Sequence, residues 1–292
     1  CSETTPILWH KICLYTAVNK TGSSVMMSVI RSGLDAAIQN LDVTSNNIAN
    51  ARTTGYKKRQ ATFTDMYSTK IATVTGDRLG IGVQMPEIRA SQKQGSLQIT
   101  KSVMDLAIEG EGLFALRDAA NPHVNIYTRD GSFTLNKEGN VVSRDGYNLM
   151  SSNNEPINIP LKANGIRTAD GFRAFGETKS LTSIMITENG NIQATYGGNN
   201  VVSTGKVGLA SFSDVKRLTP VGANLFRHSK ESGLGVLGAP AANGRGKIHS
   251  GALEMANTDI TEELSNMIRA QQAFSGSSRL LQSEAEMVKK LI

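Results

Sequence analysis

A heptad pattern along the last 33 or so residues is the feature that most constrains the fold. Its positions step by four and three without a break, and they are Ile260, Leu264, Met267, Gln271, Phe274, Ser278, Leu281, Ala285, Val288 and Ile292. This spacing predicts one helix of about 33 residues, roughly 50 Å long at 1.5 Å per residue. Asp259 is expected to be its N-cap, with Glu262 placed as in a capping box. The segment contains no proline, and Gly276 is its one weak point, at a cost of about 1 kcal/mol.

A shorter pattern of the same kind lies near the other end of the chain. Its positions are Met27, Arg31, Leu34, Ile38, Leu41, Ser45 and Ile48. They predict a helix of about 20 residues with a mostly apolar stripe. We expect this helix to end among Asn46, Asn47 and Asn50, ahead of Gly55, which suits a left-handed turn position.

The unequal lengths of the two patterns have a consequence for assembly. We expect the two terminal helices to pair as a coiled coil, but the N-terminal stripe covers only about half of the C-terminal one. An uncovered apolar stripe of this length is typical of a surface that binds a partner. Gln271 and Ser278 weaken the stripe and are expected to fix its register. The ends are therefore expected to be poorly ordered alone and to order on assembly.

The middle of the chain shows period-two runs separated by turn dipeptides. These dipeptides are Asp130-Gly131, Gly139-Asn140, Asp145-Gly146 and Asn189-Gly190. Segments 105–108, 132–135 and 183–187 are predicted strands, and the sequence around Asn189-Gly190 predicts a hairpin. The predicted fold class is mainly β with terminal α-helices, in which a β-rich body is flanked by N- and C-terminal helices that pair.

The predicted domain organisation follows from these patterns. Residues 1–25 differ from the rest and lack the apolar core of a signal peptide, so they are expected to be a disordered or artefactual extension; a lipoprotein end at Cys1 is the alternative. Residues 26–75 with 250–292 are expected to form a helical core that binds partners. Residues 76–150 with 205–249 are expected to form an inner β domain, and 151–204 a β-rich middle segment.

Composition excludes several classes of protein. Hydrophobic residues make up 39% and aromatic residues 5% of the 292 positions, which is a thin core for a compact enzyme of this length. No run of about 18 apolar residues predicts a membrane span. Cys1 and Cys13 are the two cysteines, so a disulfide scaffold is excluded for the main body. The net charge is +6, and the densest basic run, Lys57-Lys58-Arg59, is expected to be a solvated face rather than a nucleic-acid site.

A search for catalytic, cofactor and metal motifs finds none with the required context. The four histidines, His10, His123, His228 and His249, lack metal-ligand spacing. One G-x-G-x-x-G pattern occurs at Gly233–Gly238, but the residues after it do not open a helix, so we interpret it as a flexible loop. We therefore expect no enzyme activity, no cofactor and no metal, although a β-rich enzyme with an unrecognised site remains a second reading.

Four blocks of sequence stand out: SNNIAN with TGYK (45–50, 54–57), QGSL with DLAIEGEGLF (94–97, 105–114), YTRDGSF (127–133), and SGALEMANTD with EELSNMI (250–259, 262–268). Together they resemble the bacterial flagellar rod and hook family, the axial proteins of the basal body. The blocks occur in the family order and span about Met27 to Ile292. The chain length between them favours a rod protein of the distal type, with a short hook protein or a proximal rod protein next.

The resemblance implies a structural role. Members of this family are exported by the flagellar type III system without a cleaved signal, and they polymerise helically into the hollow rod or the hook. The implied partners are copies of the same chain, other rod, hook and ring proteins, and the export apparatus, with no nucleic acid and no membrane insertion. Outside the family, a secreted β-rich adhesin with coiled-coil ends is the alternative, which would trimerise in parallel.

The predicted assembly residues lie on the two terminal patterns and the turn between them. They are Leu34, Ile38, Leu41, Asn47, Ile48, Asn50, Gly55, Ile260, Leu264, Met267, Phe274, Leu281 and Val288. Burial of apolar side chains such as these stabilises by roughly 1.5–3 kcal/mol each.

The stripe predicts the effect of a charge within it. Leu281→Asp is expected to abolish polymerisation and to leave the β-rich body folded, because a carboxylate in an apolar contact is costly to desolvate. Electron microscopy of the purified variant tests this, and normal filaments would show that the stripe does not join subunits.

Overall fold

The computed structural model describes residues 6–72, 78–118, 121, 124–168, 171–197 and 200–291. The chain forms two compact units. Unit 1 comprises Cys1–Ala49, Arg59–Arg89 and Asp259–Ile292, and unit 2 comprises Asn50–Lys58 and Ala90–Thr258. Compared with the predicted domains, these bounds move residues 50–58 and 250–258 into the β-rich unit and residues 76–89 into the helical unit. The division of the β-rich part into an inner domain and a middle segment stays a prediction.

Unit 1 contains two long helices and one β-hairpin. Its elements are α1 (Pro6–Ala49), β1 (Arg59–Ala72), β2 (Arg78–Ala90) and α2 (Ile260–Leu291), and β1 pairs with β2. The predicted class, a β-rich protein with an N-terminal and a C-terminal helix, is confirmed. Helix α1 begins at Pro6, so it is longer than the helix of about 20 residues expected from Met27, and it continues through most of the segment that we set apart.

Helix α2 has the predicted length and N-terminal cap. The Asp259 carboxylate accepts hydrogen bonds from the backbone N–H groups of Thr261 (2.8 Å) and Glu262 (3.4 Å). Lys289 and Lys290 lie in the last turn, where positive charge interacts favourably with the helix dipole. Among the helices that the structure describes, none has a stretch long and apolar enough to cross a membrane.

Within unit 1, α1 and α2 pack antiparallel. Asn47 Nδ2 donates to Glu263 Oε2 over 3.1 Å, and a Cβ placed on Gly33 would lie 3.9 Å from Ser277 Oγ. Residues near the end of α1 therefore contact residues near the start of α2, and earlier residues of α1 contact later residues of α2. Among the helix residues whose burial the structure describes, the buried ones are small or polar apart from one valine: Ala37, Val43, Thr44, Asn47, Glu263, Ala270 and Glu284.

Unit 2 is built from short strands, numbered on from the hairpin. They are β3 (Leu97–Ile99), β4 (Leu106–Glu109), β5 (Leu113–Arg117), β6 (Asn125–Thr128), β7 (Phe133–Leu135), β8 (Val141–Ser143), β9 (Asn148–Leu149), β10 (Lys162–Thr168), β11 (Gly171–Ile186), β12 (Asn191–Tyr196), β13 (Asn200–Lys206), β14 (Leu209–Ser211), β15 (Thr219–Gly222), β16 (Leu225–Arg227), β17 (Val236–Gly238), β18 (Lys247–Ser250) and β19 (Ala252–Glu254). The predicted strands at 105–108, 132–135 and 183–187 correspond to β4, β7 and the end of β11.

Four sheets organise these strands. The largest has the order β15-β16-β6-β5-β9-β8-β7, with β14 pairing with both β5 and β17. A second sheet has the order β10-β11-β12-β13, and two small ladders pair β18 with β4 and β19 with β3. The predicted hairpin at Asn189-Gly190 is confirmed, because β11 and β12 pair antiparallel on either side of it, with Ile186 opposite Ile192.

The main core of unit 2 lies between the large sheet and the four-stranded sheet. It contains fully buried aliphatic side chains from both, such as Leu116 and Ile192. Phe114 and Phe133 meet edge to face within it, with ring centroids 5.2 Å apart. Such a pair contributes about 0.5–1.5 kcal/mol beyond the burial of its area.

Truncation of Phe133 therefore measures the stability of this core. Phe133→Ala is expected to lower the free energy of unfolding by about 3–5 kcal/mol, because it leaves a cavity beside Phe114. Urea unfolding followed by circular dichroism provides the measurement. Thr134→Ala, at the exposed neighbouring position, is the matched control, and an equal loss in both variants would contradict the assignment.

Candidate functional site

A buried carboxylate lies where the four sequence blocks meet in unit 2. Glu254, the last residue of β19, is 2% exposed. Its Oε1 accepts hydrogen bonds from Lys57 Nζ (2.6 Å) and from the backbone N–H of Gly95 (3.0 Å), and its Oε2 accepts from Arg129 Nε (2.5 Å). Each of these four residues belongs to a different block, so one side chain connects all of them. We call this group the Glu254 cluster.

The guanidinium of Arg129 extends the cluster to the turn that follows β4. It donates to the carbonyl oxygens of Ile108 (3.0 Å), Gly110 (2.7 Å) and Gly112. With Glu254 as its fourth partner, this buried cation has acceptors on every side. A charged group that is hydrogen-bonded in this way avoids the several kcal/mol that an unpaired buried ion costs.

Backbone contacts hold the segment that carries Lys57. The N–H of Gly55 donates to the carbonyl oxygen of Glu254 over 2.8 Å. Gly55 has a φ of 68°, as expected for a left-handed position, and a Cβ there would lie 2.6 Å from the backbone nitrogen of Asp130. Glycine is therefore required for two reasons, its conformation and the close approach of Asp130.

A second side chain, Asn257, ties the same segment to the stretch before β3. Its Oδ1 accepts from the N–H of Lys58 (2.7 Å), and its Nδ2 donates to the carbonyl oxygens of Ser91 (3.3 Å) and Lys93 (2.8 Å). Ser91 also donates its N–H to the carbonyl oxygen of Lys58 over 2.8 Å. Residues 50–58, 90–95 and 254–258 are thus bonded to one another within unit 2.

The ionisation of the cluster follows from its burial and its pairing. Burial opposes the ionisation of Glu254, but the Arg129 guanidinium and the hydrogen bonds from Lys57, Arg129 and Gly95 outweigh it, so its pKa lies below the ordinary value of 4.5. Burial lowers the pKa of Lys57, although Glu254 acts in the opposite direction. The arrangement stabilises an ionised carboxylate whose hydrogen-bond partners all belong to the same chain. Its role is therefore to hold distant segments of the chain together.

The expectation of a solvated basic face at 57–59 is wrong for its first two residues. The side chain of Lys57 is only 10% exposed and pairs with Glu254, and Lys58 is buried, whereas Arg59 is exposed. The sequence analysis did not assign a role to Glu254 or Arg129. The signal was present, because Glu254, Arg129 and Lys57 each stand in a different one of the four blocks that carry the family resemblance.

In unit 1, Asn47 was predicted as an assembly residue, and it is buried within its own chain. Its amide clamps the backbone of Arg59, accepting from the N–H (2.9 Å) and donating to the carbonyl oxygen (2.8 Å). The same Nδ2 contacts Glu263, which the sequence analysis did not single out. Asn50 is half-buried and accepts a hydrogen bond from the Thr53 hydroxyl within the turn that follows α1.

The other predicted assembly residues fall into two sets on the helix pair of unit 1. Leu34, Leu41, Ile48, Met267 and Leu281 are half-buried beside the contact face. Ile38, Ile260, Leu264 and Phe274 are exposed, and the side chain of Val288 lies outside the described residues. On α1, one column of the predicted heptad is half-buried and the other is exposed, whereas on α2 each column contains both exposed and half-buried residues. Their part in assembly stays a prediction.

The described residues offer no candidate group for metal binding. Within those residues, no group of three or more His, Cys, Asp or Glu side chains could hold a metal ion. The G-x-G-x-x-G pattern leads into strand β17 rather than into a helix, so it lacks the context of a phosphate-binding loop.

Removing the charge of Glu254 is expected to destabilise unit 2. Glu254→Gln should lower the free energy of unfolding at pH 7 by about 3–5 kcal/mol, because it leaves two buried cations without their counter-ion. Chemical denaturation measures the difference. Glu155→Gln, at an exposed glutamate, is the control, and a Glu254→Gln variant as stable as this control would contradict the assignment.

The same pair of proteins gives a pH test. The ionised form of Glu254 stabilises the fold fully above its unfolded pKa, and this contribution is lost as the pH falls through the lower folded value. The stability gap between the native chain and Glu254→Gln should therefore be widest at neutral pH and should narrow below about pH 4.5. A gap that stays constant down to pH 3 would mean that the carboxylate does not carry the effect.

Comparison with known proteins agrees with this geometry. Three family models match: "Flagella basal body rod protein" over residues 27–57, "Flagellar hook protein FlgE/F/G D1 domain" over 107–194 and "Flagellar basal body rod FlgEFG protein C-terminal" over 249–292. All four members of the Glu254 cluster lie in or between these matched segments.

Similar proteins cover almost the whole chain. It is 32% identical to the flagellar basal-body rod protein FlgG of Agrobacterium fabrum and 31% identical to that of Bacillus subtilis, in each case over 89% of this chain and 95% of the relative. It is 23% identical to the flagellar hook protein FlgE of Salmonella typhimurium, over 89% of this chain and 98% of the relative. The chain therefore belongs to the family of flagellar basal-body rod and hook proteins.

Proposed function

We propose that this chain is a structural subunit of the distal part of the flagellar basal-body rod and that it polymerises helically with copies of itself. Relatives named as rod protein FlgG, at 31–32% identity over most of the chain, support the rod assignment. The proposed partners are other rod, hook and ring proteins and the flagellar export apparatus. The proposed location is the rod, reached by type III export without a cleaved signal.

The observation that carries this proposal is the distribution of apolar side chains on unit 1. Where the structure describes their side chains, the helices bury mainly small and polar residues, whereas many of their large apolar side chains are exposed. The exposed ones are Met26, Ile38, Ile260, Leu264, Ile268, Phe274, Leu280 and Met287. An apolar surface of this extent is typical of one that a partner covers.

Energetics favour burial of this surface between subunits. Each large apolar side chain contributes roughly 1.5–3 kcal/mol when it leaves water. Most of the buried positions that the structure describes on the two helices are small or polar, such as Ala37, Thr44 and Asn47, and the large apolar side chains beside them are only half-buried. The helix pair therefore gains most of its stability from neighbours, which couples the ordering of the ends to polymerisation. Contacts between different surfaces of identical subunits extend into a helical tube rather than closing in pairs, and a tube of this kind would transmit torque.

A short hook protein is the alternative within the family, and a proximal rod protein is the next. Identity to the hook relative is lower, and that alignment extends over 402 positions although the chain has 292 residues, so the hook protein carries insertions that this chain lacks. A parallel trimeric adhesin fits less well, since α1 and α2 pair antiparallel within one chain. Electron microscopy of basal bodies that carry a labelled chain separates rod from hook.

A charge on the outward stripe tests polymerisation directly. Leu264 is 46% exposed, so Leu264→Asp should leave the subunit folded, and it tests the proposal more cleanly than the half-buried Leu281. We expect at least a tenfold rise in the concentration needed for filaments, since loss of about 1.5 kcal/mol per contact has this effect. Sedimentation and electron microscopy give the readout.

The matched control is Gln272→Asp, which places the same charge at an exposed polar position of α2. It should polymerise as the native chain does. If Leu264→Asp forms filaments at the native concentration, the outward stripe does not join subunits and the proposed function loses its main support.

A further inference from the structure

Asparagine followed by glycine occurs three times in the chain, at Asn164-Gly165, Asn189-Gly190 and Asn243-Gly244. This dipeptide is chemically labile, because the glycine nitrogen can attack the asparagine carboxamide and glycine has no side chain to obstruct the attack. Asparagine is accordingly counted among the thermolabile residues of proteins. Whether a pair reacts in a folded protein depends on how its backbone is held, and the structure holds these pairs differently.

The first two pairs are restrained by the strands around them. Asn164-Gly165 lies within β10, where Gly165 pairs with Ala174 of β11. Asn189-Gly190 forms the turn between β11 and β12, in which the Gly190 N–H donates to the carbonyl oxygen of Thr187 over 2.8 Å. Gly190 is also buried, and a Cβ placed on it would lie 2.7 Å from the ring of Pro240. The nitrogen that would attack Asn189 is therefore engaged, and its backbone has little room to rotate.

The third pair, Asn243-Gly244, lies in an open turn between β17 and β18. Both residues are exposed, and a Cβ placed on Gly244 would meet no atom within 4 Å. Among the described residues, neither the Asn243 carboxamide nor the Gly244 N–H has a hydrogen-bond partner. The attacking nitrogen and the group that it attacks are thus adjacent and hydrated, and no packing contact opposes rotation of the glycine.

Backbone hydrogen bonds fix the base of this turn and leave its tip outside them. The N–H of Arg245 donates to the carbonyl oxygen of Ala242 (3.0 Å), and the N–H of Ala241 donates to that of Gly246 (2.9 Å). The two tip residues have φ values of 52° and 76°, the left-handed conformations that Asn-Gly adopts in a tight turn. The tip can therefore open locally while the strands on either side stay paired.

A negative charge at position 243 would stand two residues from a buried cation. Arg245 is 8% exposed, and its guanidinium donates to the carbonyl oxygens of Val236 (3.0 Å) and Ala242 (3.5 Å). Within the part of the chain that the structure describes, no carboxylate pairs with Arg245, and its Nε has no hydrogen-bond partner. A carboxylate in place of the Asn243 amide would thus be added next to a cation that lacks a counter-ion.

We propose that Asn243 is a site of spontaneous deamidation, by which the folded chain gains one negative charge as it ages. The Gly244 nitrogen forms a bond to Cγ of Asn243, the bond from Cγ to the amide nitrogen breaks, and ammonia leaves with the proton from the Gly244 N–H. Water then opens the resulting succinimide ring to aspartate or isoaspartate. Water is the only co-reactant, and the inference is independent of the proposed function.

Mass spectrometry of the aged protein tests this site. The full chain is incubated in mildly alkaline buffer, samples are digested with pepsin at low pH, and the mass increase that marks replacement of an amide by an acid is assigned to its residue. We expect Asn243 to react at least about tenfold faster than Asn189, because the Gly190 nitrogen must first be released from Thr187. Equal rates at the two positions, or no reaction at Asn243, would overturn the proposal.

Two controls show whether the fold causes the difference. In concentrated urea, Asn189 and Asn243 should react at similar rates, because the hydrogen bond and the packing that protect Asn189 are lost. Asn243→Gly keeps a residue that accepts the left-handed conformation, so it should remove the mass increase from this turn and leave the rate at Asn189 unchanged. If Asn243 reacts faster by the same factor in urea, the local sequence sets the selectivity and the role of the open turn is wrong.

Discussion

The rest of unit 2 depends on the ionised carboxylate of Glu254. Three donors from distant parts of the chain converge on it: the Lys57 ammonium, the Arg129 guanidinium and the Gly95 N–H. Because the carboxylate is removed from water, none of its oxygens can lose a protein partner and find a solvent molecule instead. The cluster thereby requires that residues 50–58, the stretch before β3 and the end of β19 lie together, and Asn257 bonds the same three segments.

The helix pair of unit 1 is held by weaker interactions. Ala37, Thr44 and Ala270 allow a close approach but bury little apolar area, and Asn47 and Glu263 add a hydrogen bond. Leu264, Ile268 and Leu280 stay in contact with water. Unit 2 thus has a core of its own, whereas the helices leave several large apolar side chains exposed. This division explains why a chain of this length has so few apolar residues.

Periodicity predicted the elements well because it depends on local geometry. The capped helix α2, the strands β4 and β7 and the hairpin at Asn189-Gly190 are confirmed. Periodicity did not predict which face of each helix forms the intrachain contact, since a heptad pattern does not distinguish an intrachain contact from one with a neighbouring chain. Phe274 and Leu281 occupy equivalent heptad positions, but the first is exposed and the second half-buried. The ion pairs of Lys57 and Arg129 with Glu254 were not predicted for a related reason, because the three residues lie far apart in sequence.

The sequence by itself determined the family, the order of helix, β-rich body and helix, and the presence of an apolar stripe on each terminal helix. These follow from short-range spacing and from blocks of consecutive residues. Only the tertiary structure decided which face of each helix is buried in the chain and that Lys57, the first residue of a basic run, pairs with the buried Glu254. Each of these depends on long-range contacts, because burial and charge pairing are set by which distant segments meet rather than by the residues beside them.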